Sequence, residues 1–376
     1  MRSIILAFLQ LIPLALFVTP ATAASSTCTL HASGSDDAPA FLAAAKNASC
    51  STVSIPKGTT LNIETKMDMT ELQNKHIDLG GTIQFAPNLP YWTGNAFFFS
   101  FQDQLAFWLL GGTNITLDGG GTLDGQGQAW YDAFAKNSSL GRPIILTVYQ
   151  ATDVTVENIR MINSPEWFNL VNEGEQVTYR NVTLSAVSTS KNQAKNTDGW
   201  DIFRSNNVII ENSNINNGDD CVSFKPSEYD IVENVTAQHI IMSNAQNGAR
   251  IKAWAGKNVG SGIVKNITFT NFTETNVDNP VIIDQCYETS SSDCEKYPSN
   301  TLIQDIWFDS ITGTSSGKEK AVVASLSCSP DGRCSSVFVN DLSITPPSKY
   351  GTASYTCANV VLSGSSADLF GTCSTS

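Results

Sequence analysis

The most constraining feature of this chain is a recurring short unit, a β-branched strand of a few residues closed by Asn, Asp or Gly. It recurs at Asn114–Leu117, Asp153–Asn158, Val177–Val182, Asn207–Asn212, Asp230–Val235, Ile263–Ile267 and Ile303–Trp307. Successive units lie roughly 20–35 residues apart, the range in which repeats build solenoids or propellers. Each unit is too short for a four-stranded blade, and helical crossovers are absent. A β-sandwich would place its Asn-Gly and Asp-Gly pairs in hairpins, whereas here most such pairs sit at coil corners. The pattern therefore predicts an all-β fold, a parallel β-helix from about residue 50 to the C-terminus. Each coil supplies two to four short strands that stack on their equivalents one coil away. Asn suits the corners because it tolerates the left-handed backbone region and can form stacked amide ladders. Exposed residues at one strand position then form columns spaced ~4.7–4.9 Å per coil.

The N-terminal part differs. Arg2, the apolar run Ile4–Phe17 and Ala21-Thr22-Ala23 have the layout of a secretory signal with cleavage after Ala23. The expected mature chain, 24–376, is one domain, secreted and monomeric, with no second apolar segment to hold it in a membrane. Ser35-Asp36-Asp37 followed by the Ala-rich run 38–46 predicts a short helix, capped by Ser or Asp, that covers one end of the coils. No further helix is expected. The sequons at Asn47, Asn114, Asn137, Asn181, Asn234, Asn266 and Asn271 predict glycosylation at some of these sites. Nine cysteines in a secreted chain imply disulfides. Sequence does not fix the connectivity, but pairing of neighbours gives Cys28–Cys50, Cys286–Cys294, Cys328–Cys334 and Cys357–Cys373 as the expected set, which leaves Cys221 over. A net charge of −13 argues against a nucleic-acid partner, because phosphate binding needs clustered Lys and Arg.

The chemistry concentrates between Asn196 and Lys252. Asp198 opens Asp-Gly-Trp-Asp-Ile-Phe, and Asp219 opens Asp-Asp-Cys-Val-Ser-Phe 21 positions later, about one short coil. Asp198 and Asp219 or Asp220 should therefore lie side by side on adjacent coils. Crowded carboxylates repel, so one of them can hold a proton. One protonated acid and one ionised carboxylate are what glycoside hydrolysis needs, and a separation of ~6.5–9.5 Å favours inversion. The alternative is that these aspartates are turn residues or Ca²⁺ ligands; no metal or cofactor is expected here. Arg250 and Lys252 alternate around Ile251 and point to one side, either as a solvated face or as a clamp for an anionic sugar. Tyr287 could join from the next coil, or be a core tyrosine. His31, His76 and His239 read as structural or surface residues.

Asn196-Thr197-Asp198, Gly218-Asp219-Asp220-Cys221, Arg250-Ile251-Lys252 and Tyr287 together resemble the polygalacturonases of glycoside hydrolase family 28. Ser164-Pro165-Glu166-Trp167 and Leu123-Asp124-Gly125-Gln126-Gly127 fit the same family. The wording around Asn217–Pro226 is most similar to its fungal exopolygalacturonases. The resemblance spans essentially all of the mature chain. It implies a single-stranded right-handed parallel β-helix that hydrolyses α-1,4-galacturonosyl bonds of pectin with inversion and no cofactor. In that case Asp219 is the general acid, Asp198 and Asp220 activate water, and Asn196, Arg250, Lys252 and Tyr287 bind galacturonate. A pectin-binding β-helix without turnover, or a rhamnogalacturonan or xylogalacturonan hydrolase, are the alternatives.

One departure stands out. The family carries a Gly-His-Gly motif on the coil between the paired aspartates and Arg-Ile-Lys. Here Lys225-Pro226 runs straight into Ser227-Glu228 and no such motif exists. The resemblance also implies a partner cysteine for Cys221 just before that histidine, so the loss of one coil removes both. A β-helix can lose a whole coil and keep its register, so a continuous solenoid is expected. Arg250 and Lys252 then come about one coil, ~4.8 Å, closer to Asp219 and Asp220. Turnover should be slow in consequence.

Overall fold

A computed structural model describes residues 26–224 and 229–375. The expected signal sequence, 1–23, and the junction at Pro226–Ser227 lie outside these residues. The recurring units do stack as coils. Ile115, Val154, Val177, Val208, Val235, Ile267, Ile306 and Val337 pair in parallel register from one coil to the next. Each is at most 1% exposed, so together they form a continuous apolar column. Burying one such side chain is worth ~1.5–3 kcal/mol, so the eight together contribute on the order of 12–24 kcal/mol. The result is a right-handed parallel β-helix.

The corners obey the expected chemistry. Asn74, Asn114, Asn207, Asn234 and Asn266 all have φ between 50 and 58°. All but Asn207, whose Nδ2 donates to Glu175, have amides in ladders, with Asn266 Nδ2 donating to Asn234 Oδ1 (2.6 Å) and Asn234 Nδ2 to Asn206 Oδ1 (2.7 Å). Asn114 and Asn181 donate in the same way to Asn74 and Asn158. Several sequon asparagines are thus ladder members. Asn47 and Asn137 instead sit in exposed turns where only their carbonyl oxygens bond, to Ser49 and Ser139.

A second interior column holds an exception. Met161, Leu184, Ile215, Met242, Glu274, Gly313 and Ile344 stack in register. Glu274 is 1% exposed, and neither carboxyl oxygen has a hydrogen-bond partner. Burial pushes its pKa well above the ordinary glutamate value. Gly313 below it must be glycine: its φ is +132°, and a Cβ would stand 1.9 Å from the Glu274 carbonyl oxygen.

The predicted helix is Ala38–Lys46, and it buries Ala38, Phe41 and Ala45 against the first coils. Its capping differs from expectation. Asp37, at the N-cap, makes no capping bond but accepts from the backbone N–H groups of Ser33 and Asn62, tying the helix to the next coil. Three helices were not legible in the sequence: Leu89–Asn95, Gln128–Phe134 and Ser291–Lys296. At two turns or fewer they lie inside loops, too short to show a 3.6-residue period. A small side sheet pairs Phe97–Phe99 antiparallel with Gln104–Ala106. Disulfides join Cys28–Cys50, Cys286–Cys294, Cys328–Cys334 and Cys357–Cys373. Among the described residues no helix is long and apolar enough to cross a membrane.

Candidate active site

One face of the solenoid carries the strands Asn169–Asn172, Trp200–Phe203, Asp220–Phe224, Asn247–Trp254 and Asn279–Tyr287, stacked in parallel. Asp198 and Asp219 sit at the corners just before the second and third. These corners are zipped directly onto one another. Gly199 N–H donates to the Asp220 carbonyl (2.9 Å), Asn217 Nδ2 to the carbonyls of Thr197 and Asp220, and Gly218 N–H to Thr197 Oγ1. Gly218 is needed for this approach, since a Cβ there would lie 2.2 Å from the Ala194 carbonyl oxygen. One oxygen each from Asp198, Asp219 and Asp220 lies within 4.8 Å of the others.

The three aspartates are not equivalent. Asp198 and Asp220 are buried, at 2% and 0% exposed, while Asp219 is partly exposed. Asp219 and Asn196 line a cleft of about 730 Å³, with the segment 186–196 on one wall and Gln246, Asp278 and Lys318 on the other side. Asp219 Oδ1 accepts from the Asp220 N–H (2.9 Å), and Oδ2 lies 3.4 Å from Asn196 Nδ2.

Asp220 is held from the neighbouring coil. Its Oδ1 accepts from Arg250 Nη1 (2.7 Å) and Asn247 Nδ2 (2.6 Å), and its Oδ2 from Lys252 Nζ (3.0 Å). Burial pulls the Arg250 guanidinium down, but the Asp220 carboxylate outweighs it and carries Arg250 above its ordinary value. Tyr287 completes the group, its ring centroid 5.0 Å from Arg250 Cζ and 4.9 Å from Lys252 Nζ. Every expected site residue is thus in one neighbourhood. The clamp, however, is turned inward. Arg250 and Lys252 are only 6% and 4% exposed, and neither they nor Tyr287 line the cleft. The three carboxylates are close enough to hold a cation, but a metal ion there would compete with the two cationic side chains already on Asp220.

The model of glycosyl hydrolases family 28 matches residues 45–231 and 225–367. The chain belongs to this family. It is 40% identical over 378 residues to an exopolygalacturonase of Cochliobolus carbonum, covering 89% of this chain and 84% of that one. It is 38% identical to exopolygalacturonase B of Aspergillus niger over 340 residues, covering 81% and 77%. Among solved structures, the endo-xylogalacturonan hydrolase of Aspergillus tubingensis superposes with a TM-score of 0.79 at 30% identity, over 93% of this chain and 99% of that one. The polygalacturonase of Erwinia carotovora shares the fold at 22% identity and a TM-score of 0.66, over 90% and 96%.

The same comparisons bear on the missing coil. The family match is broken in two, and the parts meet at residues 225–231, where the Pro226–Ser227 junction falls. The Cochliobolus alignment runs over 378 positions; 89% of 376 residues is about 335, so about 43 positions have no residue here. Stacking nevertheless runs unbroken on both sides, Trp200 on Val222 and Val222 on Ala249. Cys221 is the free cysteine and is buried. Burial first, and then the Glu274 and Asp220 carboxylates, push its thiol well above the ordinary range.

The sequence reading missed Arg142 and Asn247. Asn247 has no signature beyond its place before Arg-Ile-Lys. Arg142 could have been noticed as a lone cation opening the apolar run Pro143–Leu146.

Proposed function

We propose that this chain acts on polygalacturonate of pectin as a secreted, monomeric, exo-acting hydrolase without a cofactor. Its turnover is limited by the missing coil. The observation that carries this is the cluster of three carboxylates, one oxygen of each within 4.8 Å of the others, with Asp219 lining the cleft. Asp219 donates its proton to the glycosidic oxygen as the C1–O bond breaks. Water attacks C1, and Asp198 takes the water proton. In this chain Asp220 does not serve the water: both of its oxygens are committed to Arg250, Asn247 and Lys252. Those two cations are correspondingly withheld from the sugar carboxylate. Restoring a coil would separate them from Asp220 by one strand spacing, ~4.8 Å, and free them with Tyr287 for galacturonate. Inversion is carried over from the family resemblance.

The test compares this chain with a version carrying a Gly-His-Gly coil inserted at Pro226–Ser227. Reducing-sugar release from polygalacturonate should rise by ~10²-fold or more on insertion, since an ~1 Å misplacement already costs that much. Free galacturonate should be the main product, and Asp219→Asn should abolish release in both. Equal rates for the two versions would refute the role given to the missing coil. A second reading, a pectin-binding β-helix without turnover, is favoured by the commitment of Asp220 to two cations. It predicts retention on immobilised polygalacturonate with no sugar released. The xylogalacturonan alternative predicts release from the xylosylated polymer only.

A further inference from the structure

Arg142 is 1% exposed, far from the chain termini and outside every motif of the site. It enters from the loop after the helix Gln128–Phe134, and its guanidinium lies 3.7 Å from the centroid of the Phe134 ring. Two of its three hydrogen bonds fall on the turn that carries Asp198. Nη1 donates to the carbonyls of Lys195 (2.7 Å) and Pro165 (2.9 Å), and Nη2 donates to Asn196 Oδ1 (2.8 Å). Glu166 stands 3.6 Å from Nη2. Asn196 itself has φ +55°, in the left-handed region that asparagine tolerates. An asparagine side chain has one acceptor end and one donor end. With Oδ1 held by a buried cation, Nδ2 must face the other way, and it faces Asp219 Oδ2 at 3.4 Å.

We propose that Arg142 is a positioning residue for the acid, acting through Asn196. It fixes both the left-handed turn and the orientation of the Asn196 amide, so that a donor is aimed at Asp219. That donor matters most in the transition state. As Asp219 gives up its proton it becomes a carboxylate, and a hydrogen bond to the charged form is stronger than one to the neutral acid. The amide thus stabilises the reacting state more than the bound substrate, and its loss falls on kcat. The inference rests on Asp219 being the proton donor, as proposed above.

The experiment is a double-mutant cycle with Arg142→Gln and Asn196→Ala in the full chain, with Arg142→Lys as the conservative variant. Each single change should lower kcat by about tenfold, the effect of losing one hydrogen bond. KM of Arg142→Gln should stay within about twofold, because Arg142 does not line the cleft. The double variant should be no slower than Asn196→Ala alone, because the effect of Arg142 on the acid runs through the Asn196 amide. Arg142→Lys keeps the charge but cannot span three acceptors, so it should recover activity only in part. Additive losses, or a change in KM alone, overturn the proposal. A crystal structure of Arg142→Lys decides independently of turnover. The Asn196 amide should be turned or withdrawn from Asp219 there; an unmoved amide overturns the proposal. If the unsubstituted chain releases no sugar, the functional reading fails and the crystal structure still tests this one.

Discussion

Replacing Asp220 by asparagine should destabilise this protein far more than the same change at Asp219, although the two residues are adjacent. Asp220 is wholly buried, and its oxygens accept from Arg250 at 2.7 Å, Asn247 at 2.6 Å and Lys252 at 3.0 Å. The two cationic side chains are themselves 7% and 5% exposed. Asparagine keeps the shape but removes the charge, and one of its ends then presents N–H groups to a cation. Removing one partner of a buried ion pair costs ~3–5 kcal/mol, because the charge left behind cannot return to water. Asp219 is partly exposed, so its replacement should stay within ~1 kcal/mol. Equilibrium urea unfolding followed by tryptophan fluorescence reads the difference. With a slope of ~3 kcal/mol per molar urea, Asp220→Asn should lower the midpoint by ~1–1.7 M. The loss should shrink in the coil-restored version, where the cations stand one coil further away. A midpoint shift for Asp220→Asn no larger than that for Asp219→Asn would refute the account of a clamp collapsed onto its carboxylate.

Glu274→Met should stabilise the chain at pH 7 by continuing the apolar column above and below it. The Glu274 pKa is raised by burial, so the cost of its charge is absent below the unfolded value near ~4.3 and grows by ~1.4 kcal/mol per pH unit above it, up to the folded value. The gain measured in urea should therefore shrink as the pH falls towards ~4, to the cost of burying the neutral, unpaired carboxyl; a gain independent of pH would mean that the carboxyl is not buried as described. Cys221 should be silent to a thiol reagent in the native protein and report one thiol after unfolding in urea, since it is buried and its thiol is pushed up. Rapid labelling of the native protein would contradict this. Glycan occupancy, mapped by mass spectrometry after enzymatic deglycosylation, should be highest at Asn47 and Asn137, whose Nδ2 atoms take no part in a ladder. Ladder positions such as Asn234 and Asn266 give one amide hydrogen to the next coil, and a glycan there would crowd the stacked neighbour. Full occupancy at Asn234 would contradict that ranking.

Much of this molecule is decided by patterns of short range. Alternation within each unit, such as Val177 and Tyr179 inward with Thr178 between them, sets which side chains enter the core. Asparagine at the corners follows from its tolerance of positive φ, and the four disulfides join cysteines 6 to 22 residues apart. The gathering of Asp198, Asp219, Asp220, Arg250, Lys252 and Tyr287 follows from one further rule, that equivalent positions stack. What the sequence by itself did not determine is the sideways fit between coils. Register puts Trp200 on Val222 and Val222 on Ala249, and those pairings, together with the bonds zipping the two corners, bring the carboxylates to 4.8 Å and seat both cations on Asp220. Arg142 reaches Asn196 across 54 residues, and Glu274 is left without a partner inside the second column. Neither has a local signature. Strand periodicity says which face a side chain leaves from, but its partner and its distance depend on what the neighbouring coils place within ~3 Å of it, and only the assembled stack decides that.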